Sequence, residues 1–493
     1  ASGARLEVGG GSLNISGLVT AVAGAVVIDS GTANLTGGFR TNSDSNGTLR
    51  VNGGTLNVSE INIRRNSAAS IDYNSGFIAS GGITQTGAIW LGNNNSNGAM
   101  SVEGGTVEVS GAIMIGNNVG STRGGGLRVT SGKLTVADTA YGIVLTRASG
   151  NTTVAQISGG VVTTEKITFG YNDAVIAGSG SFTLSGGELY LGSGGLVMNG
   201  TAAYTTTITL SGGTLGAKAD WSTTLPMTLT NTPTVKAADA DGSSHAITLN
   251  GVLSGAGGFV KTGAGTLTLS ANNTVTGAIT IDAGSLVVTG STATASSVTV
   301  NANSTLAGTG DAGTIVLAGG GQVAPGGAAV GTLNGASLTW NGGGRLIAQL
   351  DGANADKLVL SGALTKGSAG AYEISVSGGA AAVAGQAYTI ATYASTDFSA
   401  TDFTVVDLPA GHTATVSAGA TSLTLTLNAP VADTIAPTVP TNLAGVATSP
   451  NDIALSWTAS TDNIGVAGYR IYRDGQSVGT RALNASTDTR RAS

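Results

Sequence analysis

The sequence predicts an all-β protein, a right-handed parallel β-helix (β-solenoid) with a C-terminal cap. Three observations carry this: a recurring glycine pair, short alternating strands, and a composition suited neither to compact enzymes nor to disorder. Gly-Gly followed by a short apolar strand recurs at Gly10-Gly11, Gly53-Gly54, Gly104-Gly105, Gly159-Gly160, Gly186-Gly187 and Gly212-Gly213. The steps from 159 to 186 and from 186 to 212 are 27 and 26 residues, and the gaps of 51 and 55 are close to two such units. One unit therefore corresponds to one coil. Apolar residues alternate with Thr, Ser and Asn, as in Leu267/Leu269, Ile279/Ile281 and Leu286/Val288, between Gly or Asn turns. The 493 residues are 41% hydrophobic, 10% charged and 4% aromatic, with 80 Gly and 8 Pro. No third-residue glycine period points to collagen, and the alternating apolar content excludes a disordered chain. What remains is a narrow core of Val, Ile and Leu drawn out along an axis.

Along the chain, residues 1–334 read as the helix. In its first part the strand after the glycine pair is followed by one ending in Gly-Asn, as in Ile89-Trp90-Leu91-Gly92-Asn93-Asn94, Ile113-Met114-Ile115-Gly116-Asn117-Asn118 and Ile167-Thr168-Phe169-Gly170-Tyr171-Asn172. Asn and Gly tolerate the left-handed backbone of sharp corners, so these asparagines are expected to ladder along the outside. Residues 217–250, with Trp221, Pro226, Pro233 and His245, lack the repeat glycines and read as an irregular coil or lateral excursion. At 20–27 residues per coil, about 12–16 coils are expected, a rod on the order of 60–80 Å long. Residues 335–430 carry longer apolar strands, such as Tyr372-Glu373-Ile374-Ser375-Val376, and read as the cap that covers the unpaired edges at the end of the stack. Prolines at 437 and 440 mark 431–440 as a linker to a final segment, 441–493.

Two stretches carry family resemblances. In residues 255–290, Gly258, Lys261, Gly263, Gly265, Leu267, Leu269, Asn273, Gly277, Thr280, Ile281, Gly284 and Leu286 match the autotransporter-associated β-strand repeat, which this stretch resembles. Val260 and Val275 stand where that repeat usually has Leu and Tyr. Thr305-Leu306-Ala307-Gly308, the Ala324-Pro325-Gly326 turn and Gly331-Thr332-Leu333 resemble the closing segment of autotransporter passengers. In the last segment Trp457, Gly468-Tyr469-Arg470-Ile471-Tyr472-Arg473 and Asp474-Gly475 resemble the first half of a bacterial fibronectin type III domain, which implies a partial fibronectin-like β-sandwich over 441–493. The resemblances imply a secreted or cell-surface protein, associated with the outer membrane of a Gram-negative bacterium.

Chemistry is sparse. Cysteine is absent, which removes thiolate catalysis, disulfides and Cys-based metal sites, and His245 and His412 are the two histidines. The net charge of -6 is spread thinly and offers no basic patch for nucleic acid. No apolar run is long enough for a transmembrane helix. The chain opens at Ala1 without a charged and apolar leader, so a signal peptide is expected to be removed or upstream. The 61 residues beyond Ala432 are too few for a translocating barrel.

Glu165 and Glu188, 23 residues apart, are the pair nearest to a glycosidase arrangement of two carboxyl groups facing one groove, with Lys166 facing away. Glu60 with Arg64 and Arg65 reads as a surface ion pair. Gly308-Thr309-Gly310-Asp311-Ala312-Gly313 has dinucleotide-loop spacing but precedes a strand, and Gly475-Gln476-Ser477-Val478-Gly479 has nucleophile-elbow spacing but follows a hairpin turn. Hence no catalytic, cofactor-binding or metal residues are expected and no cofactor. The expected function is a non-enzymatic adhesin or surface-structural rod. Its partners would be extracellular polysaccharide, a cell surface or other copies of itself. The alternative is a carbohydrate-active β-helix, lyase-like or glycosidase-like, with a fibronectin-like spacer.

Overall fold

The computed structural model describes residues 5–42, 46–64, 71–93, 96–117, 124–171, 177–199, 201, 203–378, 382–428, 433–449, 452–463, 465–481 and 487–491. Among these the chain is all-β, with one short 3-10 turn at Ala400–Asp402. Each coil contributes three short strands, and each strand lies in parallel register on the strand one coil away. Phe77 sits between Leu49 and Met100 on one face, and Ile89 between Ile61 and Ile113 on another. The strand Ile83–Asn93 serves two faces, because its buried-exposed alternation slips phase at Gly87-Ala88 and so marks a corner. Gly98–Val109 supplies the third face and the first strand of the next coil.

The core follows from this stacking. Ile61, Ile89, Ile113, Ile143 and Ile167 lie one above another, all buried to 1% exposure or less. A second inward column runs through fifteen positions from Leu13 to Trp340. At strand spacing this is about 70 Å, inside the expected length. Its members are apolar except Thr84 and Lys261.

The corner glycine explains the repeat. The second residue of each pair has positive φ, +65° at Gly54, +63° at Gly105 and +69° at Gly160. A Cβ on Gly105 would lie 2.4 Å from the carbonyl carbon of Gly81 in the neighbouring coil. Only glycine satisfies both the backbone conformation and this approach.

Residues 217–236 keep all three strands, Trp221–Thr223, Met227–Leu229 and Thr234–Lys236, where sequence reading expects irregularity. Buried Trp221, Met227, Leu229 and Val235 hold these strands without corner glycines, and the excursion is confined to the turn bridged by Ala238 and Ser244.

Parallel stacking continues beyond residue 334, with Leu338 on Leu364 and Glu373 on Thr404. The pattern then changes: Ala387–Thr392 pairs antiparallel with Ser422–Asn428, which pairs antiparallel with Thr413–Ala418. At this end Asp356 is 1% exposed, its two oxygens accepting the amide N–H groups of Gly331 at 2.9 Å and Gln349 at 3.1 Å. Burial pushes its carboxyl up to about 6 against the opposing pull of those two amides. A carboxyl raised above its unfolded value of 3.8 binds a proton in the fold that the unfolded chain has released. Its contribution is therefore complete below pH 3.8 and is lost as pH rises through about 6. Unfolding free energies from urea titrations of the wild type are expected to fall relative to those of Asp356→Asn between pH 4 and 7, by up to about 3 kcal/mol. A flat difference would rule this out.

The last segment forms an antiparallel sheet of Thr441–Ser449, Asp452–Thr458 and Thr487–Arg491, and a hairpin of Tyr469–Arg473 with Gln476–Arg481. Trp457 meets Tyr469 edge-on at 5.2 Å between ring centroids. Leu443 and Val446 remain exposed, at 70% and 65%.

Candidate functional site, a polar trough

An open trough of about 1080 Å³ crosses the first coils. It is built from two outward rows on the strands that follow the corner glycines. In the first row Asn14, Asn34, Asn57, Gln85, Glu108 and Thr135 occupy equivalent register positions on consecutive coils. Two residues further on, Thr36, Ser59, Gly87, Ser110 and Ala137 form the second row, and Val58, Thr86 and Val109 lie between the rows as floor. Long side chains in one row and small ones in the other make the depression.

The amides of the first row bond to one another along the axis. Asn34 Nδ2 donates to Asn14 Oδ1 at 2.6 Å, Asn57 Nδ2 to Asn34 Oδ1 at 2.7 Å, and Gln85 Nε2 to Glu108 Oε2 at 2.9 Å. Each amide keeps further donor and acceptor capacity for a ligand. Among the lining residues Glu108 is the carboxylate and Lys133 the cation, so no second carboxylate faces Glu108 across the trough. Apart from Glu108, the first row offers neutral hydrogen bonding at coil intervals.

The residues singled out from sequence lie elsewhere. Glu165 accepts a hydrogen bond from Ser193 Oγ at 2.6 Å, which lowers its pKa, whereas Glu188 accepts from Tyr190 Oη at 2.6 Å. Glu188 stacks on Val161, four positions from Glu165, so the two carboxylates do not share a register column. Arg64 Nε donates to Asn62 Oδ1 at 3.2 Å, with no ion pair to Glu60 among the described residues, and Arg65, the other arginine of that reading, lies outside them. His245 Nδ1 lies 3.4 Å from Asp220, and His412 Nδ1 lies 3.2 Å from the carbonyl of Ala410 on an exposed turn. Gly308–Gly313 leads into the strand Thr314–Leu317, and Ser477 lies exposed on the hairpin strand Gln476–Arg481. Of the corner ladder one rung is described, Asn117 Nδ2 donating to Asn93 Oδ1 at 3.2 Å; in the next coil Thr146 and Arg147 take the corner positions and interrupt it, and Asn94, Asn118 and Asn172 fall outside the described residues.

Lys261 is wholly buried, although it occupies an inward column position. Its ammonium donates to the carbonyls of Gly263 at 2.7 Å, Ala283 at 2.8 Å and Thr262 at 3.1 Å. It thus ties two adjacent coils at their corner and is unavailable to a ligand.

Residues 259–288 match the family described as passenger-associated-transport-repeat. The chain is also 52% identical to Exoglucanase A of Cellulomonas fimi over 60 residues, 12% of this chain and 7% of that protein. It is 53% identical to Chitinase A1 of Niallia circulans over 58 residues, 12% and 8% of the two chains. Against Exoglucanase B of Cellulomonas fimi it is 55% identical over 58 residues, 12% and 5%. The chain spans less than a tenth of the length of these curated relatives. Among the described residues no helix is long and apolar enough to cross a membrane.

Proposed function

We propose that the protein is a secreted or cell-surface right-handed parallel β-helix that attaches non-enzymatically to extracellular polysaccharide. The observation that carries this reading is the trough, six coils of Asn, Gln, Glu and Thr in one register column beside a row of small residues. A polyhydroxylated chain laid along it meets a donor and an acceptor at each coil. Many weak contacts on a rigid rod then sum through avidity. The passenger-associated repeat at 259–288 supports an exported, surface-related role. The stretches shared with the exoglucanases and the chitinase, of 58 to 60 residues, are close in length to the terminal segment 433–493, which supports a fibronectin-like spacer there. Residues 335–430 are read as closing the stack, with the antiparallel strands covering its last parallel edge.

The test is affinity electrophoresis of the purified chain in gels containing defined polysaccharides, with reducing ends assayed on the same substrates. The triple variant Asn34→Ala, Asn57→Ala, Gln85→Ala is expected to bind roughly tenfold or more weakly, as three hydrogen bonds of about 0.5–1.5 kcal/mol each would give. The names of the relatives favour a second reading, a carbohydrate-active β-helix carried on spacer modules. Release of reducing ends would establish that reading and overturn the non-enzymatic one. Retention by none of the gels, together with concentration-dependent self-association, would instead mark a structural rod that binds its own copies.

A further inference from the structure

The face reached just past the trough carries a second apolar cluster outside the main core. Asn62, Trp90, Met114, Val144 and Thr168 point outward on consecutive coils. Met114 and Val144 are nevertheless buried, at 6% and 0% exposure, with half-buried Trp90, Tyr141 and Tyr171 packed against them. Tyr141 and Tyr171 come from opposite ends of neighbouring strands. Their rings lie 4.7 Å apart at 30°, and Tyr171 Oη donates to Tyr141 Oη at 3.1 Å.

Over the Tyr171 ring, 4.0 Å from its centroid, lies the guanidinium of Arg147. Among the described residues this half-buried cation has no ion pair and no side-chain hydrogen bond, and its Nε is buried without an acceptor. Asp138, the neighbouring acid, is engaged by the amide N–H groups of Tyr141 and Gly142. In a chain only 4% aromatic, three aromatic rings and an arginine that has no ion pair among the described residues, within four adjacent coils, are a concentrated feature.

We propose that Trp90, Tyr141, Tyr171 and Arg147 form a binding site for an anionic polysaccharide, separate from the trough. The C–H face of a sugar ring would lie on the aromatic rings, and its carboxylate would take the planar fork of Arg147. Aromatic faces suit apolar ring surfaces, and a guanidinium held on a ring and freed from other acceptors pairs strongly with a carboxylate. Charge complementarity selects a uronate over a neutral sugar. The proposal stands on residues and a face distinct from the trough, so either site can fail alone.

The experiment titrates the full chain with polygalacturonate and with neutral pullulan, following tryptophan fluorescence and affinity electrophoresis. Trp221, Trp340 and Trp457 are 4%, 0% and 9% exposed, so Trp90 is the reporter expected to respond. Polygalacturonate is expected to bind at least tenfold more tightly than pullulan, and less tightly as salt is raised. Arg147→Met keeps an apolar stem over Tyr171 and removes the charge; it is expected to lose that preference while keeping its circular dichroism and thermal midpoint. Arg147→Lys, which keeps the charge without the fork, is expected to fall between. Equal binding of the two polymers, or an Arg147→Met variant that binds polygalacturonate as the wild type does, overturns the site. Loss of polygalacturonate binding in the Asn34/Asn57/Gln85 variant alone would place that binding in the trough and overturn it equally.

Discussion

Lys261→Met is expected to lower folding stability by about 2–6 kcal/mol, the loss of two hydrogen bonds from a charged donor to the half-buried carbonyls of Gly263 and Ala283. The Thr262 carbonyl also accepts the amide of Ala237 at 2.9 Å, but Gly263 and Ala283 direct theirs at the ammonium. Removing a buried charge recovers some desolvation energy, yet methionine has no donor for those carbonyls. The pH dependence separates the two effects. Burial pulls the amine down to about 8 from 10.5. Between these values the unfolded chain holds a proton that the folded one has released, so stability rises with pH in that window. Unfolding free energies from urea titrations of the wild type relative to Lys261→Met should therefore increase from pH 8 to 10.5, by about 1–3 kcal/mol. A difference that stays constant or narrows would show that the three carbonyls hold the proton more firmly than burial expels it.

The coil repeat was legible because one residue per coil has a conformation that no other amino acid adopts cheaply. Where only that residue survives, the signal weakens. Ser30-Gly31 and Ser131-Gly132 keep the glycine with φ of +74° and +75° but have lost its partner, and their coils escape a search for pairs. The coil at Gly81-Gly82 keeps the pair but turns Thr84 inward, so its strand does not read as apolar. The trough was half legible: Asn14, Asn57 and Glu108 stand at one offset from their glycine pairs, while Asn34 and Gln85 belong to the coils that escaped. The aromatic cluster was not legible at all. Trp90, Tyr141 and Tyr171 share no strand position, and Tyr141 and Tyr171 meet because long side chains reach across Val144 from opposite corners. Periodicity registers the position of a Cα in a coil; it is blind to contacts made several ångströms away.

Trp340→Ala is expected to cost about 3–5 kcal/mol, the range for truncating a buried large aromatic, and to express that cost at one end of the molecule. Trp340 is 0% exposed and closes the inward column that begins at Leu13. Its Nε1 donates to the carbonyl of Gly344 at 2.9 Å, and its ring meets Phe403 at 5.6 Å, Phe398 at 6.1 Å and Tyr372 edge-on at 6.3 Å. Phe398 in turn stacks on Phe403 at 4.9 Å and meets Tyr372 edge-on at 4.8 Å. In the coils below, buried rings such as Phe77, Phe169 and Phe259 are set among aliphatic columns, whereas here, where the chain passes from parallel to antiparallel pairing, four rings pack on one another. Each coil contacts only its neighbours, so stability in such a stack is approximately a sum of local terms. Amide hydrogen exchange in Trp340→Ala should accordingly lose protection in the strands Ser337–Trp340, Tyr372–Ser377 and Phe403–Val406, with Ile113–Asn117 and Thr152–Phe169 unchanged. Uniform loss of protection along the chain would mean that the stack folds as one cooperative block. In that case the end of the rod would be the point from which the whole protein is unfastened.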